Sequence, residues 1–451
     1  MSVYKPCDIR GPVTELSPER YGSWGRSIGR RIQGGETVIV GGDVRVSTPV
    51  FQAGLVEGLR DAGAAVLDVG IVPTPMVYFA GRDQKASACA VVTSSHSPPD
   101  TNGLKWTIGS SPPSEEQVAE FEVEERNGVA STATSRGVVE TVSPEEAYLA
   151  WLETVVAGWE PANEQPPLRI LIDPGSGCWA GRAGPMLERC FPGLAVGAIY
   201  NDPDGTFSSR NPDSSRPEHL ETLCRDVVEG GFALGLAFDG DGDRVAFVDE
   251  TGHVLSSEEA THILLQAQSD TLRGHGFVYD LKFSDVIPAS AAALGARPLV
   301  ERSGHAFIRS RMRAEGAAFG AEVSGHFFYK ALDSGDDALY SGALLLARLG
   351  PSGRSLGAWR RDCPPVYMTP ELRRTLSAKE MDRLLESVET RYRDRPISRV
   401  DGLRIEFNDG WALMRKSVTE PALTFRFEGR SAAALDRIVE EFRVAGIVAT
   451  D

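Results

Sequence analysis

Asp239, Asp241 and Asp243 alternate with glycine in a run that ends at Arg244. Three carboxylates this close repel unless a cation sits among them, and the glycines let the backbone turn so that all three face inward. All-oxygen ligation suits Mg²⁺, with water or a substrate phosphate filling the remaining positions. An EF-hand is excluded: Asp239 as first position puts Glu250 twelfth, but the sixth is Arg244 where glycine is required.

A second group, Thr93-Ser94-Ser95-His96-Ser97, follows the apolar run Ala90-Val91-Val92 and precedes two prolines. That is a strand emptying into a loop, taken to run on to Trp106, with hydroxyls, an imidazole and Lys105 available to a ligand. A third, Arg415-Lys416-Ser417-Val418-Thr419-Glu420-Pro421 with Arg426 beyond, collects cations, hydroxyls and turn amides of the kind that cradle a phosphate. Glu322, Ser324 and His326 alternate along a fourth loop that offers donors and acceptors to sugar hydroxyls.

The elements that must position these loops follow an α/β rhythm. A helix from about Pro18 to Arg31 has Ser17 as its cap, and strands at Thr37 to Val40, Ala65 to Val69 and Ala86 to Val92 alternate with helices. A polar stretch from Glu122 to Val142 marks a boundary, after which the strand Arg169 to Ile172, a helix from about Pro217 to Glu229 and the strand Ala233 to Phe238 lead into the acidic loop. A third unit opens with the helix Ser257 to Ala267, capped by Ser256, and includes a Gly304-His305 loop. Past Pro364 and Pro365 the rhythm changes to close strands (Ser398 to Phe407, Trp411 to Arg415, Ala422 to Glu428) between two helices, a smaller α+β unit. The partition expected is 1–143, 144–250, 251–363 and 364–451.

The formal charge of −16 argues against nucleic acid and anionic membranes as partners, while a local cluster of Arg and Lys still admits a small anionic substrate. No apolar run approaches a membrane span, and MSVYKPCDIRG has no apolar signal core, so a cytoplasmic location is expected. Six cysteines without a CxxC pair imply reduced thiols and neither zinc nor disulfides.

These loops, in this order, resemble those of the α-D-phosphohexomutase family, most closely its bacterial phosphomannomutase/phosphoglucomutase branch. The likeness covers the whole chain and includes CDIRG near the start, NGLK at Asn102 to Lys105, DGTF at Asp204 to Phe207, and LKFS with SGH around Lys282 and His305. It implies three related α/β domains with mixed sheets flanked by helices and a C-terminal α+β domain of TATA-binding-protein-like topology, all lining one cleft.

It further implies that Ser95 is carried as phosphoserine and that Asp239, Asp241 and Asp243, with Ser95, hold Mg²⁺. Arg10, His96, Lys105 and Arg244 would surround the reacting phosphoryl group. Lys282, His305, Glu322, Ser324 and His326 would meet the sugar, and Arg415, Ser417, Thr419 and Arg426 its non-reacting phosphate. The implied reaction interconverts hexose 1-phosphate and hexose 6-phosphate, of mannose or glucose, through a hexose 1,6-bisphosphate that also serves as activator. The protein would act on this small phosphosugar as monomer or homodimer. Lys105 and His96 are both candidates for the general base.

Three positions depart from the family pattern: Cys7 where Tyr is common, Ser97 where Asn is usual, and Val418 where Gly or Asn is usual. The valine resists φ > 0 and would alter an amide-lined turn, weakening phosphate binding. A phosphoglucosamine-type mutase, a Mg²⁺-dependent sugar phosphatase and a non-catalytic sugar-phosphate binder are the alternatives. A serine hydrolase is set aside because no G-x-S-x-G elbow surrounds Ser95.

Overall fold

A computed structural model describes residues 2–32, 35–130, 133–159, 168–417 and 422–448. Four sheets follow one another along the chain. In the first, Thr37–Gly42 lies between the parallel strands Ala65–Ile71 and Ala88–Val92, a pattern that continuous apolar β-formers favour because both faces are covered. Ala88–Val92 then pairs antiparallel with Thr101–Ile108, which pairs antiparallel with Ile9–Pro12. The stretch read as loop as far as Trp106 is therefore a loop of eight residues, 93–100, and a strand. Lys105 sits on that strand opposite Val91.

The second sheet runs Val245–Asp249, Leu234–Phe238, Arg169–Asp173, Ala195–Ala198, and the third runs Arg297–Glu301, Gly276–Asp280, Phe319–Ala321, Phe327–Tyr329, Gly335–Asp336. Each mixes parallel and antiparallel pairs, whereas every pairing in the fourth sheet is antiparallel. Helices flank the first three sheets, so the α/β assignment and the α+β ending both hold.

Ser17 and Ser256 cap their helices as expected, each accepting from the backbone N–H three residues on. Elsewhere the reading needs correction. The polar stretch from Glu122 to Val142 begins inside the helix Glu115–Asn127, which a Ser114/Gln117 capping box starts, and ends with Val139–Thr141 as the edge strand of the first sheet. The helix placed from Pro217 is a 3₁₀ turn, Pro217–His219, followed by Glu221–Gly230. The Gly304-His305 loop is the start of a helix, His305–Glu315.

One apolar core passes unbroken through the first three sheets, from Ile39 through Tyr148, Leu236 and Phe319 to Leu356. The helix Glu145–Val155 is its keystone. Tyr148 packs against Phe79 and Trp179, Trp151 stacks on Tyr340 at 5.5 Å, and the Tyr148 hydroxyl donates to Asp337 at 2.8 Å. The C-terminal unit has its own core around Ile405, Phe425 and Phe442. It meets the third unit through a small cluster of Leu281, Trp411 and Leu413 and a polar seam. In that seam Glu428 accepts from Ser284, the Asp285 amide and Trp411, and Arg404 pairs with Asp285. No helix among the described residues is long and apolar enough to cross a membrane.

Candidate active site

Residue 95 has φ 51°, in the left-handed region, which throws its side chain out of the strand direction. Three groups hold that turn: the Ser95 amide donates to Thr93 Oγ1 at 2.9 Å, Thr93 Oγ1 donates to Asp43 at 2.7 Å, and the Ser95 carbonyl accepts from Arg45 at 2.8 Å. Ser95 Oγ thereby reaches Asp239 Oδ2 at 2.7 Å, and His96 Nδ1 lies 3.3 Å from Ser95 Oγ. Gly240 passes so close that a Cβ there would stand 2.7 Å from the Ser95 carbonyl oxygen, which is why the acidic loop needs glycine at this point.

The sequence reading missed Arg45, which is fully buried beside Asp43. Its five donors are all spent: Nε on Asp43, Nη1 on the carbonyls of Pro98 and Thr101, Nη2 on those of Ser95 and Ser97. Asp-x-Arg directly after a strand was the available signal. Thr74 was also missed; its hydroxyl donates to Asp241 at 2.7 Å and its amide to the Asp241 carbonyl at 2.9 Å.

The three aspartates are buried and present carboxylate oxygens within 4.8 Å of one another. Oδ1 of Asp241 and of Asp243 have no hydrogen-bond partner among the described residues, so an all-oxygen set with unsatisfied lone pairs fits a hard divalent cation. Lys105 Nζ, 2.8 Å from Asp241 and also bonded to Asp243, balances part of the charge. Burial together with Asp241 and Asp243 pushes the Asp239 carboxyl up to about 7. Burial would lower the Lys105 pKa, but Asp241 and Asp243 outweigh it and hold the ammonium well above its usual range. Burial, then Arg244, Arg10 and Lys105, depress His96 well below an ordinary histidine, so its imidazole is neutral.

Around this centre Arg10 pairs with Asp8 at 2.7 Å and donates to Ser97 Oγ at 3.3 Å. Arg244 donates through Nε to His326 Nε2 at 2.8 Å and lies 3.7 Å from Asp239. The Glu322 to His326 turn is pinned to the acidic loop, because the Val245 amide donates to the Gly325 carbonyl. Ser324 Oγ is buried without a hydrogen-bond partner among the described residues. Burial lowers the His326 pKa, and Asp243 and Asp336 more than offset it.

Lys282 stands 3.4 Å from Asp280, and its carbonyl accepts from Arg426 at 3.0 Å. Ser324, Glu258 and Arg426 line a cavity of about 600 Å³ between the second, third and fourth units. Arg415 is taken up by Asp401 at 2.8 Å, and no hydrogen bond or ion pair among the described residues ties it to the Ser95 cluster. The Ser417 amide donates to the Ala422 carbonyl at 2.8 Å. Thr419 and Val418 lie outside the described residues. Of the departures, Ser97 accepts from Arg10 and Cys7 packs under Gly304, beside His305.

His305 is largely buried with Nε2 cut off from solvent and without a hydrogen-bond partner among the described residues, and burial followed by Lys105 depresses its pKa to about 3. Unfolded chains protonate histidine near 6.5 and this one does not, so its contribution to stability is present above 6.5 and is lost as pH falls from 6.5 toward 3. Between pH 7.5 and 5.5 this costs about 1 kcal/mol, roughly 1–2 °C in Tm for a chain this long. His305→Gln should shrink the acid-induced fall in Tm by that amount in thermal unfolding at the two pH values; an unchanged difference would refute the assignment.

Three α/β units and an α+β unit around a serine, a carboxylate trio and converging cations define a phosphotransferase-type enzyme. Sequence and structure comparisons carry this further. Models of the phosphoglucomutase/phosphomannomutase α/β/α domains I, II and III match residues 3–127, 146–252 and 250–367, and that of the C-terminal domain matches 371–445. The chain is 33% identical to a phosphomannomutase/phosphoglucomutase of Pseudomonas aeruginosa over 98% of its own length and 95% of that protein's. It superposes on the crystal structure of a phosphoglucomutase/phosphomannomutase family protein from Burkholderia thailandensis with TM-score 0.86, at 32% identity and covering 98% and 96% of the two chains.

A more distant structure shares the fold at 13% identity and TM-score 0.59, covering 97% and 94%. It is N-acetylphosphoglucosamine mutase of Aspergillus fumigatus in complex with GlcNAc-6P and magnesium. The chain belongs to the phosphoglucomutase/phosphomannomutase family and is a hexose-phosphate mutase, an isomerase.

Proposed function

We propose that Ser95 carries the transferred phosphoryl group and gives it to the free hydroxyl of a hexose monophosphate, forming a hexose 1,6-bisphosphate. The intermediate turns over in the cleft, and Ser95 takes back the other phosphate. The observation that carries this reading is the 2.7 Å contact of Ser95 Oγ with Asp239, which joins two loops 144 residues apart beside the three aspartates and Lys105.

Asp239, Asp241 and Asp243, with the phosphorylated Ser95, would hold Mg²⁺, as magnesium accompanies the Aspergillus enzyme. The ion would neutralise charge on the transferring group. Lys105, Arg10 and Arg244 add fixed positive charge, which suits a transition state that asks for positioning and electrostatics more than covalent chemistry. A lysine held charged by two aspartates has no lone pair to offer, which leaves His96, neutral but a weak base at its depressed pKa, as the other candidate proton acceptor near Ser95.

Lys282, His305, Glu322, Ser324 and His326 are assigned to the sugar, and Arg415, Ser417, Thr419 and Arg426 to the non-reacting phosphate. The working partition remains 1–143, 144–250, 251–363 and 364–451, supported by Thr141 closing the first sheet and by the separate C-terminal core. Six free cysteines support a cytoplasmic setting, and the enzyme is taken to act as a monomer or homodimer.

The test is isomerisation of glucose 1-phosphate and mannose 1-phosphate by purified protein with Mg²⁺ and a trace of hexose 1,6-bisphosphate. Both sugars should turn over, and the ratio of the two kcat/KM values gives the preference. Turnover of neither would rule out these substrates, and inorganic phosphate released as fast as product forms would make the enzyme a phosphatase.

A further inference from the structure

The stretch DGTF, Asp204 to Phe207, holds no group assigned to the reaction, yet it is fixed from several sides. The Asp204 carboxylate accepts from the amides and hydroxyls of Thr206 and Ser208 at 2.6–3.1 Å, and the Asp204 amide donates to the Ser176 carbonyl at 2.9 Å. Farther along, Arg210 Nη2 donates at 2.6 Å to the carbonyl of Phe238, the residue before Asp239. Gly205 lies hard against the first unit: a Cβ there would stand 2.2 Å from the Val44 carbonyl oxygen and 2.7 Å from the Val46 nitrogen.

Phe207, at the end of this stretch, takes φ 48° and is 6% exposed. A bulky side chain in the left-handed region is uncommon and persists where its surroundings hold it. The Arg45 guanidinium lies over its ring, with the central carbon 5.1 Å from the ring centroid. The ring also reaches Gly240: the Cβ that would stand 2.7 Å from the Ser95 carbonyl oxygen would stand 3.2 Å from Phe207 Cζ. One ring of the second unit therefore abuts both the fork that holds the serine loop and the glycine packed against that loop.

The five side-chain hydrogen bonds of Arg45 leave its guanidinium close to the plane of the group, so a tilt of that plane weakens all of them together. An aromatic face opposes the tilt, because it attracts the cation, and more strongly where water is excluded, as it is around the fully buried Arg45. Resting on the assignment of Ser95 above, we propose that Phe207 is a positioning residue for phosphoryl transfer: its ring sets the tilt of the Arg45 guanidinium and the seat of Gly240, and so the placement of Ser95 Oγ on Asp239. A phenyl ring neither moves a proton nor binds a phosphate through hydrogen bonds, so its effect on turnover runs through these two neighbours.

Two variants separate this role from that of an apolar filler between the first two units. Phe207→Ala should lower both Tm and kcat, the latter about 10- to 100-fold with KM within about threefold. Phe207→Leu returns apolar bulk without an aromatic face, so it should recover most of the Tm while kcat stays at least about tenfold down. Hydrogen exchange of the segment 93–97 in the full-length protein should quicken in Phe207→Leu, with the helix Pro18–Gly29 unchanged as control. A kcat that returns with the Tm in Phe207→Leu, or exchange of 93–97 as slow as in the wild type, would overturn the proposal, and Phe207→Leu decides it even where Phe207→Ala fails to fold. The exchange measurement needs no substrate, so failure of both sugars to turn over would strike the mutase reading while this one is judged on the serine loop itself.

Discussion

Ser95→Ala is expected to lower mutase turnover by about 10⁴-fold or more while leaving the fold intact. The size of the effect follows from Ser95 Oγ being the hydroxyl of this loop that bonds Asp239; the neighbouring Ser94 Oγ is buried and makes no hydrogen bond among the described residues. Thr93 Oγ1 is committed to Asp43 and to the Ser95 amide, and Ser97 Oγ faces Arg10. Neither can reach Asp239 without undoing the turn. Alanine meets much the same backbone cost as serine at φ 51°, and the Arg45 bond uses the carbonyl rather than the side chain, so the loop keeps its shape. Coupled assays on both sugars, with circular dichroism as control, make the check. A variant retaining more than about 1% of wild-type kcat would remove Ser95 from the reaction.

The second large effect falls on a residue that no sugar need touch. Arg45→Met leaves four carbonyls, of Ser95, Ser97, Pro98 and Thr101, without their donor, and Asp43 without its buried counter-charge. Stranding a buried charge costs about 3–5 kcal/mol, and the released loop should lose a further 10²-fold or so in kcat because Ser95 is no longer held on Asp239. Arg45→Lys should rescue little: an ammonium has three donors where five are used, and no planar fork. Urea midpoints and kcat on the same samples test both parts. A lysine variant as stable and as active as the wild type would show that the loop holds itself.

Why Arg45 stayed hidden while the acidic loop did not is a matter of where the partners are encoded. Asp239, Asp241 and Asp243 are neighbours in sequence, so their mutual repulsion is visible in the residue types. Arg45 acts on backbone carbonyls 50 to 56 residues away, and a carbonyl carries no residue signature. Lys105 is assigned to the loop on the strength of the polar cluster and the two prolines before it, yet the strand there is covered on both faces and shows no alternation. His305 was missed as a helix start because no side chain caps it; Gly304 at φ 132° makes the turn instead. The helix at Glu115 was legible in its capping box and was still passed over in favour of local polarity. The serine loop, the acidic loop and the Glu322 to His326 turn, by contrast, are legible because each packs its donors and acceptors into a few consecutive residues, and the structure brings these three together. For Thr419 the described residues offer no check.

The unbroken core also bears on how the chain is made. Tyr148 finds its partner, Asp337, only 189 residues later, and at about 5–20 residues per second a ribosome needs roughly 10–40 s to deliver it. For that interval Phe79, Tyr148 and Trp151 have no third unit to cover them, and the first two units wait with an open apolar flank. Newly made chains are therefore clients for any factor that shields such surfaces during synthesis, and crowded expression at high temperature will lose more of them to aggregation than the stability of the finished enzyme would imply.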